Sequence, residues 1–228
     1  MQHLACIMDG NRRFAKRHGW KPWIGHSKGV DAVRETIEFC IRNAISYLTL
    51  YAFSLENFKR SDEEKHYLFE LMVEQMSAHV AIFNEQRTQV RFIGDRAVFP
   101  AHVLAACEKL EQKTADGKAL QVNVLFCYGG QQEIVAAAKS IAQQVQQGQI
   151  AVNDIDVSCV KRNLWLGDIP APDLIFRTGG VHRLSNFLLF EAAYAELYFS
   201  DLMWPEVTGD YLQQVLNSFN ERTRNFGS

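Results

Sequence analysis

Six short runs of β-branched and aromatic residues recur along this chain, separated by stretches long enough for a helix, and that alternation constrains its fold most. The runs cover residues 4–8, 47–53, 88–93, 120–126, 174–177 and 195–199. Their near-continuous apolar character is what strands show when helices cover both faces of a parallel sheet. Helical spacing predicts helices over residues 27–44, 62–86, 101–113, 131–147 and 209–224. Ser61 ahead of Asp62, Glu63 and Glu64 places a hydroxyl cap and acids at the positive end of the second helix. The expected fold is a single α/β domain spanning residues 1–228, with a central, mainly parallel, six-stranded sheet flanked by helices.

Composition narrows the function. With 47% hydrophobic residues in 228, the chain can bury a substantial core. A net charge of −2 argues against a general nucleic-acid binder, so any anion site must be a local cluster of cations. Five cysteines without a C-x-x-C pair read as reduced core thiols. A strand-like segment opens the chain in place of a leader, and no apolar run reaches the roughly 18 residues of a membrane span.

Chemistry concentrates behind the strands. Asp9, Gly10, Asn11, Arg12 and Arg13 follow the first run, at the strand end where ligands bind in parallel sheets. Glycine lets backbone approach an anion, and the arginines supply paired donors to phosphate oxygens. An aspartate facing the same anion would repel it unless a cation such as Mg²⁺ bridges them. An Asx turn at Asp9 with solvated arginines accounts for the same residues. A second polar cluster, Ser54 to Arg60, follows the second run, and a third follows the fifth, with Arg177, a Gly-Gly pair, His182, Arg183 and Ser185. Glu196 stands inside the otherwise apolar sixth run, where a carboxylate requires a partner. The helix from Asp62 carries Leu68, Leu71, Met72, Met76, Val80 and Phe83 in a broad stripe. That stripe is either core or the wall of an apolar ligand channel. Two anion sites beside a greasy wall point to substrates with diphosphate heads and hydrocarbon tails. Nucleotide-binding glycine loops, H-E-x-x-H, paired-cysteine zinc patterns and D-D-x-x-D are all absent from the sequence.

Taken together, IMDGN, GH, TLYAFS-x-EN, YGG, RTGG-x-x-RLSNFLL and YAELYF, in this order, resemble the cis-prenyltransferase family over nearly the whole chain. The resemblance implies an α/β fold with an apolar tunnel, a homodimer and Mg²⁺ as cofactor. It implies condensation of isopentenyl diphosphate onto an allylic prenyl diphosphate, such as farnesyl diphosphate, with undecaprenyl diphosphate for cell-wall carrier lipid as the product. It also implies a cytoplasmic protein that meets the inner membrane surface to release product. A short-chain or irregular coupling enzyme, or a non-catalytic subunit, are the alternative readings.

Carried over position by position, Asp9 would ligate Mg²⁺, and Gly10, Asn11, Arg12, Arg13 and Phe14 would cradle the allylic diphosphate. His26 would meet the leaving diphosphate. Ser54, Leu55, Glu56 and Phe58 would belong to a loop over the site, Asn57 would assist proton removal, and Arg60 would contact phosphate. Arg177, Arg183, Leu184 and Ser185 would hold isopentenyl diphosphate, with His182 and Glu196 as a second metal pair. The chain departs from the family pattern at Arg12, Pro22, Phe126, Cys127, Val181 and Asn225. At Pro22 a phosphate contact is lost unless Lys21 replaces it.

Overall fold

The computed structural model describes residues 1–221. These residues form one sheet of six strands: β1 (His3–Ile7), β2 (Tyr47–Ser54), β3 (Thr88–Ile93), β4 (Leu120–Tyr128), β5 (Leu174–Arg177) and β6 (Glu196–Phe199). Their order is β3-β4-β2-β1-β5-β6, and every neighbouring pair is parallel. The expected α/β class and parallel sheet are therefore what the chain forms. Among the described residues seven α-helices accompany the sheet: α1 (Asn11–Arg17), α2 (Ile24–Arg42), α3 (Asp62–Glu85), α4 (Ala101–Thr114), α5 (Gly130–Gln146), α6 (Val157–Asn163) and α7 (Gly209–Asn220). Two of them, α1 and α6, fall outside the helices that the sequence spacing predicts. Both have seven residues, too short for apolar periodicity to show. Of the last predicted residues of the helix from 209, 221 follows the end of α7, and 222–224 lie outside the described residues.

Strand alternation sorts the core. Leu4 and Cys6 of β1 pack with Leu48, Phe39 and Leu212 on one face, while Ala5 and Ile7 pack with Leu125, Ile175 and Phe187 on the other. A third cluster lies beneath α3 and α4, where Phe53, Phe69, Phe99 and Phe126 meet with ring centroids 4.9–5.7 Å apart. All five cysteines are buried free thiols. No helix among the described residues is long and apolar enough to cross a membrane.

Register fixes what meets at the sheet edge. Ile7 aligns with Arg177, and Arg177 with Phe199, so the segments after β1 and β5 emerge side by side. The end of β2 joins them after a register shift between Tyr51 and Ser54, a bulge of the kind that re-aims side chains near binding sites.

Candidate active site

A cavity of about 780 Å³ opens at this edge and runs between the sheet, α2 and α3. Its mouth is polar, lined by Asp9, Asn11, His26, Ser54, Glu56, Asn57, Arg60, Arg177, Arg183, Ser185 and Asn186. Its depth is apolar, lined by Val30, Val33, Leu50, Leu68, Leu71, Met72 and Val124. A further cavity of about 120 Å³ shares Val30, Val33, Leu50, Met72, Gln75 and Val124 with the first, continuing the space between α2 and α3. The broad stripe of α3 is thus divided: Phe69 and Met76 are buried, while Leu68, Leu71 and Met72 form a tunnel wall.

The mouth is a network of paired charges. Arg177, 4% exposed, donates to Asp9 Oδ2 at 3.0 Å, to Ser185 Oγ at 2.8 Å and to the Arg183 carbonyl. Arg13 approaches Asp9 Oδ1 at 3.2 Å and donates to the Gly179 carbonyl at 2.6 Å. The Asp9 carbonyl accepts from Thr178 Oγ1 at 2.7 Å, which holds the β1 and β5 loops together. Gly10 is required here: its φ of 108° is left-handed, and a Cβ would lie 2.6 Å from Met203 Sδ. On the other side Glu64 accepts from Arg60 at 2.9 Å and stands 3.7 Å from Arg12. His26 lies 3.4 Å from Arg60; burial, then Arg60 and Arg12, pushes its imidazole down to about 3. It is therefore neutral at physiological pH, able to donate or accept a hydrogen bond without adding charge. Five arginines against three carboxylates (Asp9, Glu56 and Glu64) make this edge basic in a chain of net charge −2.

Several residues expected at the site are placed elsewhere. Phe58 turns into the aromatic cluster, 5.2 Å from Phe53, and Leu55 packs beside it. Phe14 faces His18 and Trp20, and Leu184 packs under the sheet edge. Asn57 Oδ1 accepts from the Ser54 backbone at 3.1 Å, so this oxygen shapes the turn. His182 and Glu196 are not brought together. His182 follows β5 and stacks on Phe199, whereas Glu196 opens β6 three residues earlier, in register with Leu174. No group of three His, Cys, Asp or Glu residues able to hold a metal occurs among the described residues. Lys21 is turned to Glu63 and Trp23, away from the role Pro22 leaves open. Cys127 is fully buried with φ 50°, and its carbonyl accepts from the Asp95 amide. Asn225 lies outside the described residues.

Other contributors gave no sequence signal of their own. Glu64 reads as a helix-dipole acid yet neutralises two guanidinium groups. Tyr51 Oη lies 3.4 Å from the Ser185 carbonyl, and Trp204 Nε1 donates to the Gly29 carbonyl at 2.9 Å behind the mouth.

A basic, two-loop anion site opening into an apolar tunnel suits an amphiphile with an anionic head and a hydrocarbon tail. Residues 7–227 match the family described as "Putative undecaprenyl diphosphate synthase". The chain belongs to this family of prenyl-transferring enzymes. It is 44% identical over 226 residues to the ditrans,polycis-undecaprenyl-diphosphate synthase ((2E,6E)-farnesyl-diphosphate specific) of Pseudomonas aeruginosa, covering 99% of this chain and 90% of that one. It is 41% identical to the isoprenyl transferase of Bacillus subtilis, covering 99% and 87%. Among solved structures, lavandulyl diphosphate synthase from Lavandula x intermedia, in complex with dimethylallyl diphosphate, superimposes with a TM-score of 0.96 at 32% identity, covering 100% and 98%. A probable undecaprenyl diphosphate synthase from Campylobacter jejuni does so at 0.83 and 34%, covering 100% and 99%.

Proposed function

We propose that this chain is a cis-prenyltransferase that condenses isopentenyl diphosphate onto an allylic diphosphate, with farnesyl diphosphate as primer and undecaprenyl diphosphate as product. The observation that carries the reading is one cavity with a guanidinium-lined mouth and a hydrocarbon-lined depth. The allylic head fits beside Asp9, Asn11 and Arg13 with its tail toward Met72 and Val124, while Arg177, Arg183 and Ser185 take isopentenyl diphosphate. In the reaction the allylic C1–O bond breaks, its carbon gains a bond to isopentenyl diphosphate, and a proton leaves to form a cis double bond. Neutral His26 beside Arg60 donates a hydrogen bond to the departing diphosphate. Asn57, which also lines the mouth, is the group assigned to assist the proton's departure.

The donor set fits Mg²⁺ of a particular kind. With Asp9 as the carboxylate beside Arg13 and no group of three metal ligands among the described residues, the ion would share oxygens with substrate, as Mg²⁺ does when held by one or two carboxylates plus phosphates. Asp9 would hold it, and it would neutralise charge on the leaving diphosphate. Homodimerisation, a role in cell-wall lipid supply, and a cytoplasmic site of action with product release at the inner membrane surface complete the reading.

Incubation with farnesyl diphosphate, labelled isopentenyl diphosphate and Mg²⁺ tests it. Butanol-extractable label is expected; its absence with folded protein refutes the assignment. Short or irregular coupling is the second reading, favoured by the 0.96 superposition on lavandulyl diphosphate synthase and by bulky Phe126 and Phe53 beside the tunnel. Chromatography of the same product decides: a ladder reaching about eleven isoprene units excludes it, as each addition is one condensation.

A further inference from the structure

Asn186 lies between the two loops of the mouth, and every polar atom of its side chain is engaged. Its Nδ2 donates to Glu56 Oε1 at 2.8 Å and lies 3.1 Å from Gln132 Oε1, while its Oδ1 accepts from the Gln131 amide at 2.8 Å. Its backbone carbonyl accepts from the Gly130 amide at 2.8 Å. One residue thereby ties the Glu56 turn, the start of α5 and the loop that carries Ser185. The backbone agrees with this task. Asn186 has φ 65°, where asparagine is among the residues best tolerated; Ser185 directly before it has φ 52°, and Leu188 two residues on has φ 45°. Consecutive strained residues persist only where surrounding contacts over-determine them.

The Gly-Gly pair after β4 has a role in this arrangement. A Cβ on Gly129 would lie 2.3 Å from Gln132 Oε1 and 2.8 Å from Asn186 Nδ2, and one on Gly130 would lie 3.2 Å from the Asn186 carbonyl. The pair leaves room for the Asn186 hub.

We infer that Asn186 is a positioning residue: its amide latches the Glu56 turn across the mouth while its backbone holds Ser185 against Arg177 and Arg183. From beneath, the turn is anchored by the packing of Leu55 and Phe58 against the aromatic cluster and by Lys65 Nζ, which donates to the Phe58 carbonyl at 3.4 Å; the Asn186 amide adds the polar tie across the top. The kinetic consequence rests on the prenyl-transfer reading above; the closure itself does not.

The test exchanges donor and acceptor. Asn186→Asp sets two carboxylates against each other, and adding Glu56→Gln restores a hydrogen bond in the opposite sense. Amide hydrogen exchange across residues 55–59 is measured for each variant, together with the KM for isopentenyl diphosphate, kcat and the urea midpoint. For Asn186→Asp, lid exchange and KM should each rise about tenfold with a smaller change in kcat, the scale of one lost charge-assisted hydrogen bond. The double variant should return both to within about threefold of the parent. A double variant no better than Asn186→Asp overturns the latch, as does an Asn186→Asp that matches the parent in both readouts. Restored exchange without restored KM overturns the positioning role. Should the parent lack turnover, the functional reading fails and lid exchange alone decides the latch.

Discussion

The two ends of the cavity differ in how their residues are held as much as in polarity. At the mouth the charged groups are already paired: Asp9 between Arg13 and Arg177, Glu64 with Arg60 and Arg12, Ser185 between Arg177 and Arg183. At depth Val30, Val33, Leu50, Met72 and Val124 present no donors or acceptors from their side chains, and Gln75 is the polar exception. Fixed, mutually oriented dipoles need little reorganisation when charge develops between them. A non-directional apolar wall accepts a hydrocarbon at any register along its length. A rigid head site and a permissive tail site are what stepwise lengthening of one end of a chain requires.

The largest effect should come from the head site. Asp9→Ala is expected to lower turnover by about three decades, with a smaller change in KM, measured under saturating Mg²⁺. Unchanged turnover would remove Asp9 from the metal role. Arg177→Ala should follow, with kcat/KM for isopentenyl diphosphate down about a hundredfold, because it strips partners from Asp9 and Ser185 together. If Arg177→Ala acts only through the allylic substrate, the division of the mouth between two diphosphates is wrong. At the other end, Met72→Trp should leave the first condensation near parental rate and shorten the product, read by chromatography. An unaltered ladder would mean the tail does not pass Met72.

The smallest effect concerns two carboxylates of equal exposure. Glu64 and Glu191 are each 4% exposed, yet Glu64 has two guanidinium partners while both Glu191 oxygens are buried without a hydrogen bond. Burial, with Glu133 adding repulsion, pushes the Glu191 carboxyl up to about 7 from 4.5. Between those values the folded state keeps a proton that the unfolded chain releases, so this group's contribution to stability falls as pH rises from 4.5 to 7. Glu191→Gln should flatten that slope, gaining on the order of 2 kcal/mol at neutral pH in urea titrations run across the window. A slope identical to the parent would show that Glu191 is not the titrating group.

The sheet was legible because its strands are short, nearly continuous apolar runs set apart by helical stretches, and all six occur within two residues of their expected ends. Asp9, Arg60, Arg177, Arg183 and Ser185 were legible because the carboxyl ends of β1, β2 and β5 must lie along one edge. What sequence could not show is which way a side chain turns once there. Phe58 follows Asn57 in the motif, yet the aromatic cluster offers it more apolar contact than the mouth does. Glu196 shares the chemistry of a metal ligand, but the register of β6 sets it at the opposite end of its strand from His182. Asn186 stands in the RLSNFLL motif, but its role was not legible, since a hub is defined by contacts 54 to 130 residues distant.

The central claim is that one prenyl diphosphate spans both ends of the cavity, and a crystal structure with unreactive farnesyl thiodiphosphate and Mg²⁺ tests it most directly. The thiodiphosphate should lie beside Asp9, Asn11 and Arg13, with the farnesyl chain against Val33, Met72 and Val124. A head bound away from Asp9, or a tail lying outside the α2–α3 wall, would contradict it.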